Sequence, residues 1–336
     1  VTSGVTSGVT SSAPGVPGVP AAGAPLVLRG RELGRGADGS VRGVVMAIVN
    51  RTTDSFYAPA RLADDAAALE AAHRAWEEGA EVLDVGGVRA GVGPEVDEAE
   101  EVRRVVPFVA RVRAELPDLV LSVDTWRSGV AREAIAAGAD LVNDTWAGHD
   151  PRLVEVAGAA GVGVVCSHTG GAAPRTDPYR VEYPAAADAG PGGALDPDGA
   201  RDPRDGVLDD AVATLRRAAQ RAVACGVPPA SVLVDPTHDF GKNTWHSLHL
   251  LRRTQALAGL GHPLLMALSR KDFVGETLGL PPAERLEGTL AATALAAWMG
   301  ARVFRAHDVR ATRRVLDMVA AVRDEAPPRA ALRGLA

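Results

Sequence analysis

The side chains able to do chemistry in this chain stand where short apolar runs give out. They are Asn50, Asp84, Asp124, Asn143, His168, Asp235, the triplet Ser269-Arg270-Lys271, Arg305 and His307. Rarity marks several of them. Of 36 basic residues only Lys242 and Lys271 are lysine, and Asn50, Asn143 and Asn243 are the only asparagines. All five lie at or just beyond the end of such a run. A lysine retained against an arginine background offers a compact point charge where arginine offers a planar fork.

The set divides by chemistry. Asp124, Asn143, Asp235 and Lys271 suit a flat heterocycle with an amino-pyrimidinone edge. Carboxylates accept from ring N–H groups, while amide and ammonium serve carbonyl and ring nitrogens. Arg305 and His307, two residues apart, suit a phosphate or diphosphate. Asn50 offers an oxygen to a Mg2+ ion bridging such a diphosphate. Ser269 and Arg270 suit an anionic second substrate.

Positioning these groups requires a scaffold of repeated strand and helix. The apolar runs are 44–49, 81–85, 119–123, 140–142, 162–166, 231–234, 263–267 and 302–304. Helical stretches rich in Ala, Arg and Glu follow them near 62–78, 97–115, 127–137, 151–160, 208–225, 245–260, 284–299 and 309–324. Eight strand–helix pairs predict an α/β protein folded as a (β/α)8 TIM barrel, whose chemistry gathers at the C-terminal strand ends. A doubly wound sheet would show a glycine-rich phosphate fingerprint after the first strand, and NRTTDS is unlike one. Gly79, Gly138, Gly161, Gly226 and Gly300 stand where left-handed helix C-caps are expected. Residues 1–40 read as a disordered low-complexity tail, 41–325 as the barrel and 326–336 as a C-terminal tail. The stretch 170–206 is too long and too rich in Pro, Gly and Asp for an ordinary connection. Order is expected near Pro174–Tyr183 and disorder after it.

A net charge of −6 without a basic run argues against a nucleic-acid surface. Two distant cysteines make no metal or redox spacing and suit a reducing compartment. No apolar run reaches membrane-spanning length, so a soluble cytoplasmic protein without a membrane partner is expected.

The segments MAIVNRTTDSF, EVLDVGG, SVDTW, LVNDTWAG, VLVDPTHDFGKN, LSRKDFVGE, ERLEGTLAA and FRAHDV, in that order, resemble the motifs of dihydropteroate synthases. The likeness covers about residues 44–319, and the divergent second synthase-like copy of actinobacteria is the nearest pattern. It implies a pterin-binding barrel, usually a homodimer. Such a barrel joins a hydroxymethyl-dihydropterin diphosphate to p-aminobenzoate with the help of Mg2+ and releases diphosphate. By motif match Asp124, Asn143, Asp235 and Lys271 would hold the pterin. Asn50, Arg305 and His307 would serve metal and diphosphate, and Ser269 and Arg270 the region of p-aminobenzoate. Lys271, Arg305 and His307 would carry the catalysis.

Three loops depart from the pattern. The first has Arg51 and Thr53 where the family has Val and Pro. The second runs Gly86-Gly87-Val88-Arg89-Ala90-Gly91-Val92-Gly93, with Ala90 and Gly91 in place of the family's Thr and Arg. After the sixth run, Thr237-His238-Asp239-Phe240-Gly241-Lys242 replaces Gly-Phe-Gly-Phe-Gly-Lys, setting Asp239 where a small residue lines the pocket. A closing loop that loses a guanidinium stabilises a departing diphosphate less well. The expectation is a synthase homologue with weakened or absent activity. The alternative is a non-catalytic barrel that binds a pterin or phosphorylated ligand and acts through a partner protein.

Overall fold

The computed structural model describes residues 23–52, 65–176, 182–183 and 204–333. Its frame is a parallel sheet of eight strands: β3 (Val44–Asn50), β4 (Val82–Gly86), β5 (Val120–Asp124), β6 (Leu141–Asp144), β7 (Gly163–Ser167), β8 (Val232–Asp235), β9 (Leu265–Met266) and β10 (Val303–Ala306). The order is β8-β7-β6-β5-β4-β3-β10-β9, and a parallel bridge from Val234 to Leu264 brings the two edges together. The TIM-barrel expectation is met. The apolar runs are continuous because such strands are buried on both faces.

Alternation within each strand separates two cores. Met46, Val82, Val120, Leu141, Val165, Leu233, Leu265 and Val303, one from each strand, fill the barrel interior. Their neighbours, such as Val45, Leu83, Leu121, Val142, Val164 and Val232, pack outward against the helices. Those helices are α1 (Asp65–Glu77), α2 (Glu98–Glu115), α3 (Ser128–Ala136), α4 (Leu153–Ala160), α5 (Asp205–Ala224), α6 (Thr244–Arg252), α7 (Thr254–Ala258), α8 (Asp272–Leu278), α9 (Leu286–Trp298) and α10 (Val309–Val322). The five glycines expected as left-handed caps all have positive φ, from 67° at Gly161 to 112° at Gly138.

Two features differ from expectation. The reading of residues 1–40 as tail is corrected from residue 23 onward; residues 1–22 lie outside the described part. β1 (Leu26–Leu28) and β2 (Arg31–Leu33) form an antiparallel hairpin turned by Arg29 and Gly30, both at positive φ. Leu26, Leu28 and Leu33 are buried with the barrel-interior residues, and Ser231 Oγ donates to Val27 O at 2.6 Å. The hairpin is only three residues a side, too short for a periodic signal, and its stability comes from that burial. The second addition is α8, a short helix directly after Ser269-Arg270-Lys271. In the long fifth loop, Pro174–Thr176 and Glu182–Tyr183 are described and the remainder of the expected ordered part is not.

Candidate active site at the strand ends

Because alternate residues of a strand face the same way, the inward polar positions at the barrel mouth follow from the inward core. Two residues beyond Val82 is Asp84, beyond Val120 and Ser122 is Asp124, beyond Leu141 is Asn143, and beyond Val303 is Arg305. These form one network. Arg305 Nε donates to Asp84 Oδ2 at 2.6 Å, and Arg305 Nη2 donates to Asp124 Oδ2 at 2.8 Å. Asp84 also accepts from Ser122 Oγ at 2.6 Å and from Asn143 Nδ2 at 3.1 Å. Thr145 Oγ1 donates to the other oxygen of Asp124 at 2.9 Å. Arg305 Nη1 has no hydrogen-bond partner among the described residues. Burial pushes the Asp124 carboxyl up to about 6; Arg305 pulls against that and Asp84 pushes with it.

Next to this network, Ser269 Oγ lies 2.9 Å from His307 Nδ1 and accepts from His307 N at 3.2 Å. Burial first, and then Arg305, holds the His307 imidazole neutral by lowering its pKa to about 3. Lys271 Nζ donates to His238 O at 2.5 Å and sits 4.3 Å from the centre of the Phe240 ring. Burial lowers its pKa, with Asp239 and Asp235 opposing. Asp235 accepts from Thr237 N at 2.7 Å, and burial raises its carboxyl. Asn50 ends β3 beside Gly86 and Asp124 in register. A Cβ built at Gly86 would lie 3.3 Å from Asn50 Oδ1 and 3.8 Å from Asp124 Oδ2. A side chain at Gly86 would crowd Asn50 Oδ1, so the glycine lets the Asn50 amide and the Asp124 carboxylate stand on either side of it, oxygen donors of the kind a hard cation takes.

Three of the residues singled out by the sequence turn to partners within the protein. Arg270, expected at the region of a second substrate, directs its guanidinium to the protein itself. It pairs with both Asp308 oxygens at 3.0 and 3.1 Å and donates to Pro282 O and Ala283 O. His168 points away from the mouth, its Nε2 being 2.8 Å from Asp210 Oδ2 on α5. Burial outweighs that carboxylate and brings its pKa to about 4. The residue facing inward on β7 is its neighbour Ser167, which strand parity could have identified. Arg51, out of pattern in the first loop, turns into the helix layer, where it pairs with Asp65 and lies 4.9 Å from the Phe108 ring centre. Thr53 falls outside the described residues.

The sixth loop uses its departures structurally. Thr237, Asp239 and Gly241, which stand at the family's three glycines, all have positive φ, of 50°, 71° and 63°. Asp239 does not line a pocket as a bare substitution. Its carboxylate accepts from Asp272 N at 2.7 Å and Phe273 N at 3.3 Å, the first amides of α8. Such a cap satisfies donors that a helix start otherwise leaves open. Asp239→Ala is expected to lower unfolding free energy by about 1–2 kcal/mol, since the cap is lost while the left-handed φ remains. Asp239→Gly should cost less, because glycine adopts that φ freely. Thermal denaturation of the pair checks the order; equal losses would exclude the conformational part.

The second loop is held at both ends. Arg104 Nη1 donates to Gly87 O at 3.1 Å and Arg127 Nη2 donates to Val96 O at 2.7 Å. From the fifth loop, Arg175 Nε donates to Gly91 O at 3.4 Å, and Tyr183 Oη donates to Gly241 O of the sixth loop at 2.8 Å.

Comparison with known proteins bears on what this arrangement serves. A family profile described as "Pterin binding enzyme" matches residues 46–307. The chain is 56% identical over 295 residues to inactive dihydropteroate synthase 2 of Mycobacterium leprae, covering 88% of this chain and 96% of that one. It is 34% identical over 281 residues to the dihydropteroate synthase of Bacillus subtilis, covering 83% and 88% respectively. The crystal structure of Yersinia pestis dihydropteroate synthase with a sulfonamide drug complex superposes with a TM-score of 0.75 at 32% identity, over 90% of this chain and 100% of that one.

Proposed function

The chain belongs to the dihydropteroate synthase family, a family of folate biosynthesis, and from that premise we propose that it keeps a pterin slot while its synthase activity is weakened or lost. One contrast supports this reading. The Asp84–Asp124–Asn143–Arg305 network is complete, whereas the second loop has Ala90 and Gly91 where the family has Thr and Arg. Likeness to dihydropteroate synthases favours this reading over a barrel acting through a partner protein.

In it, Asp124, Asn143 and Asp235 receive the ring N–H edge and Lys271 serves its carbonyl and nitrogen acceptors. Arg305 holds the carboxylates in place through two nitrogens and keeps the third for a diphosphate oxygen. His307, neutral and held by Ser269, lies beside Arg305 and would border the same group. Asn50 would supply one oxygen to a Mg2+ ion, which when bound neutralises the leaving diphosphate. Ser269 remains the candidate for the region of p-aminobenzoate, without Arg270. The test is a steady-state assay with both substrates and Mg2+, run beside calorimetry with 6-hydroxymethylpterin. Heat of binding without product above blank is expected. Turnover at an ordinary enzyme rate would overturn the loss of activity, and absence of heat would overturn the pterin slot.

The same reading includes a cytoplasmic homodimer. No helix among the described residues is long and apolar enough to cross a membrane. α9, LEGTLAATALAAW, has Glu287 as its only charge and spreads apolar residues around the rest of its surface, a pattern of helices covered on most sides. Yet Leu295 on α9 is 56% exposed, and Met318 on the neighbouring α10 is 64% exposed. A second copy covering α9 and α10 accounts for both. Leu295→Glu with Met318→Glu should shift the mass seen by light scattering from twice the 34.7 kDa chain to that mass itself. A single-chain mass for the unmodified protein would exclude the dimer.

A further inference from the structure

Ser167 ends β7 and has a use that the network described above does not supply. Val164 and Cys166 of this strand pack in the outer core and Val165 in the barrel interior, so Ser167 faces the interior at the mouth. It is paired in register with Asp235 of β8, and on its other side Asn143 of β6 pairs with Val165, one inward-facing position before Ser167. Only 1% of Ser167 is exposed, and its Oγ has no hydrogen-bond partner among the described residues. A buried hydroxyl left unpaired costs stability, whereas alanine in the same place would cost nothing of the kind. The groups on either side are positioned and already partly satisfied: Asn143 Nδ2 by Asp84, and Asp235 by Thr237 N. Of these three side chains, only that of Ser167 has no partner among the described residues.

We propose that Ser167 is a ligand-contacting, specificity-determining residue, whose hydroxyl completes its hydrogen bonding on a ring nitrogen or oxygen of a heterocycle held between Asn143 and Asp235. This rests on the pterin-slot reading. Carboxylate and amide oxygens on the two flanks accept from N–H groups, and a hydroxyl between them can donate to the acceptor atom of the same ring edge. The site therefore favours a ring whose donors flank an acceptor, and penalises one that presents a C–H there, since the hydroxyl would stay unpaired.

Calorimetry with 6-hydroxymethyl-7,8-dihydropterin, whose 2-amino group and N8–H flank the N1 acceptor, on the full chain and on Ser167→Ala and Ser167→Thr tests this, with melting temperatures of the ligand-free proteins alongside. Ser167→Ala should weaken binding about tenfold, while its ligand-free melting temperature holds or rises because the unpaired hydroxyl is gone. Ser167→Thr, which keeps the hydroxyl, should bind more tightly than the alanine variant. Equal affinity of the alanine variant and the unmodified protein would overturn the role of Ser167 and leave the pterin slot standing. A fall in ligand-free melting temperature with unchanged affinity would make Ser167 a packing residue and overturn it too. If the unmodified protein gives no heat, the pterin slot itself fails and the proposal with it.

Discussion

Arg305→Met is expected to lower unfolding free energy by about 3–5 kcal/mol and to abolish pterin binding. Removing one partner of a buried ion pair leaves an uncompensated charge, which costs far more than the pair itself contributes. Here one guanidinium serves two carboxylates, Asp84 at 2.6 Å and Asp124 at 2.8 Å, and Asp84 is fully buried. Without it two carboxylates face each other in the barrel mouth, and one of them must take up a proton. Burial and Asp84 already hold Asp124 at about 6 while Arg305 is present. Losing Arg305 raises it further.

The sign of the pH effect follows. A carboxyl whose folded pKa lies above its unfolded value binds protons more readily in the native state, so its contribution to stability falls as pH rises through the folded pKa. The loss caused by Arg305→Met should therefore be smaller at pH 5 than at pH 8. Adding Asp84→Asn should recover part of the stability at pH 8, because one of the two unpaired charges goes. Urea unfolding at the two pH values measures all of this. Equal losses at pH 5 and 8 would mean that the carboxylates are not coupled through Arg305.

The second large effect is a gain. Ala90→Thr combined with Gly91→Arg should raise synthase turnover by about 100-fold over the unmodified chain, the scale on which a single transition-state donor acts. The loop can accept both. A Cβ at Gly91 would meet only the Arg89 guanidinium, at 3.6 and 3.9 Å, which is ordinary contact. Gly91 is not among the residues at positive φ, and Ala90 is exposed. The contact from Arg175 falls on the Gly91 carbonyl and survives a change of side chain. Initial rates of diphosphate release with both substrates and Mg2+ read the result. No gain in a variant that still binds pterin would move the cause of lost activity elsewhere. The first candidate would then be the sixth loop, where the Asp239 carboxylate lies against the start of α8.

Part of this protein is legible without coordinates. Eight apolar runs long enough for strands buried on both faces, separated by helical stretches, leave little choice but a barrel. Glycine before each of five runs places helix ends through backbone stereochemistry that few other residues can adopt. The strand ends follow, and with them Asp84, Asp124, Asn143 and Arg305. Their meeting point follows as well, because closure of the sheet puts β4, β5, β6 and β10 around one mouth.

What tertiary structure decided is the direction and employment of side chains beyond the last ladder bond. His168 and Ser167 differ by one residue, and a period of two sends one to α5 and the other into the mouth. Arg270 reaches Asp308 across 38 positions, and Asp239 reaches α8 across 33, distances at which no local pattern acts. The hairpin at Leu26–Leu33 is too short to announce itself and exists because the barrel has an open end to fill. Sequence thus fixes which residues arrive at the mouth, since that depends on chain-local periodicity. Which of them remain available to a ligand depends on partners brought together only by closure of the barrel, and there a guanidinium or a carboxylate goes to whichever buried counter-group is nearest.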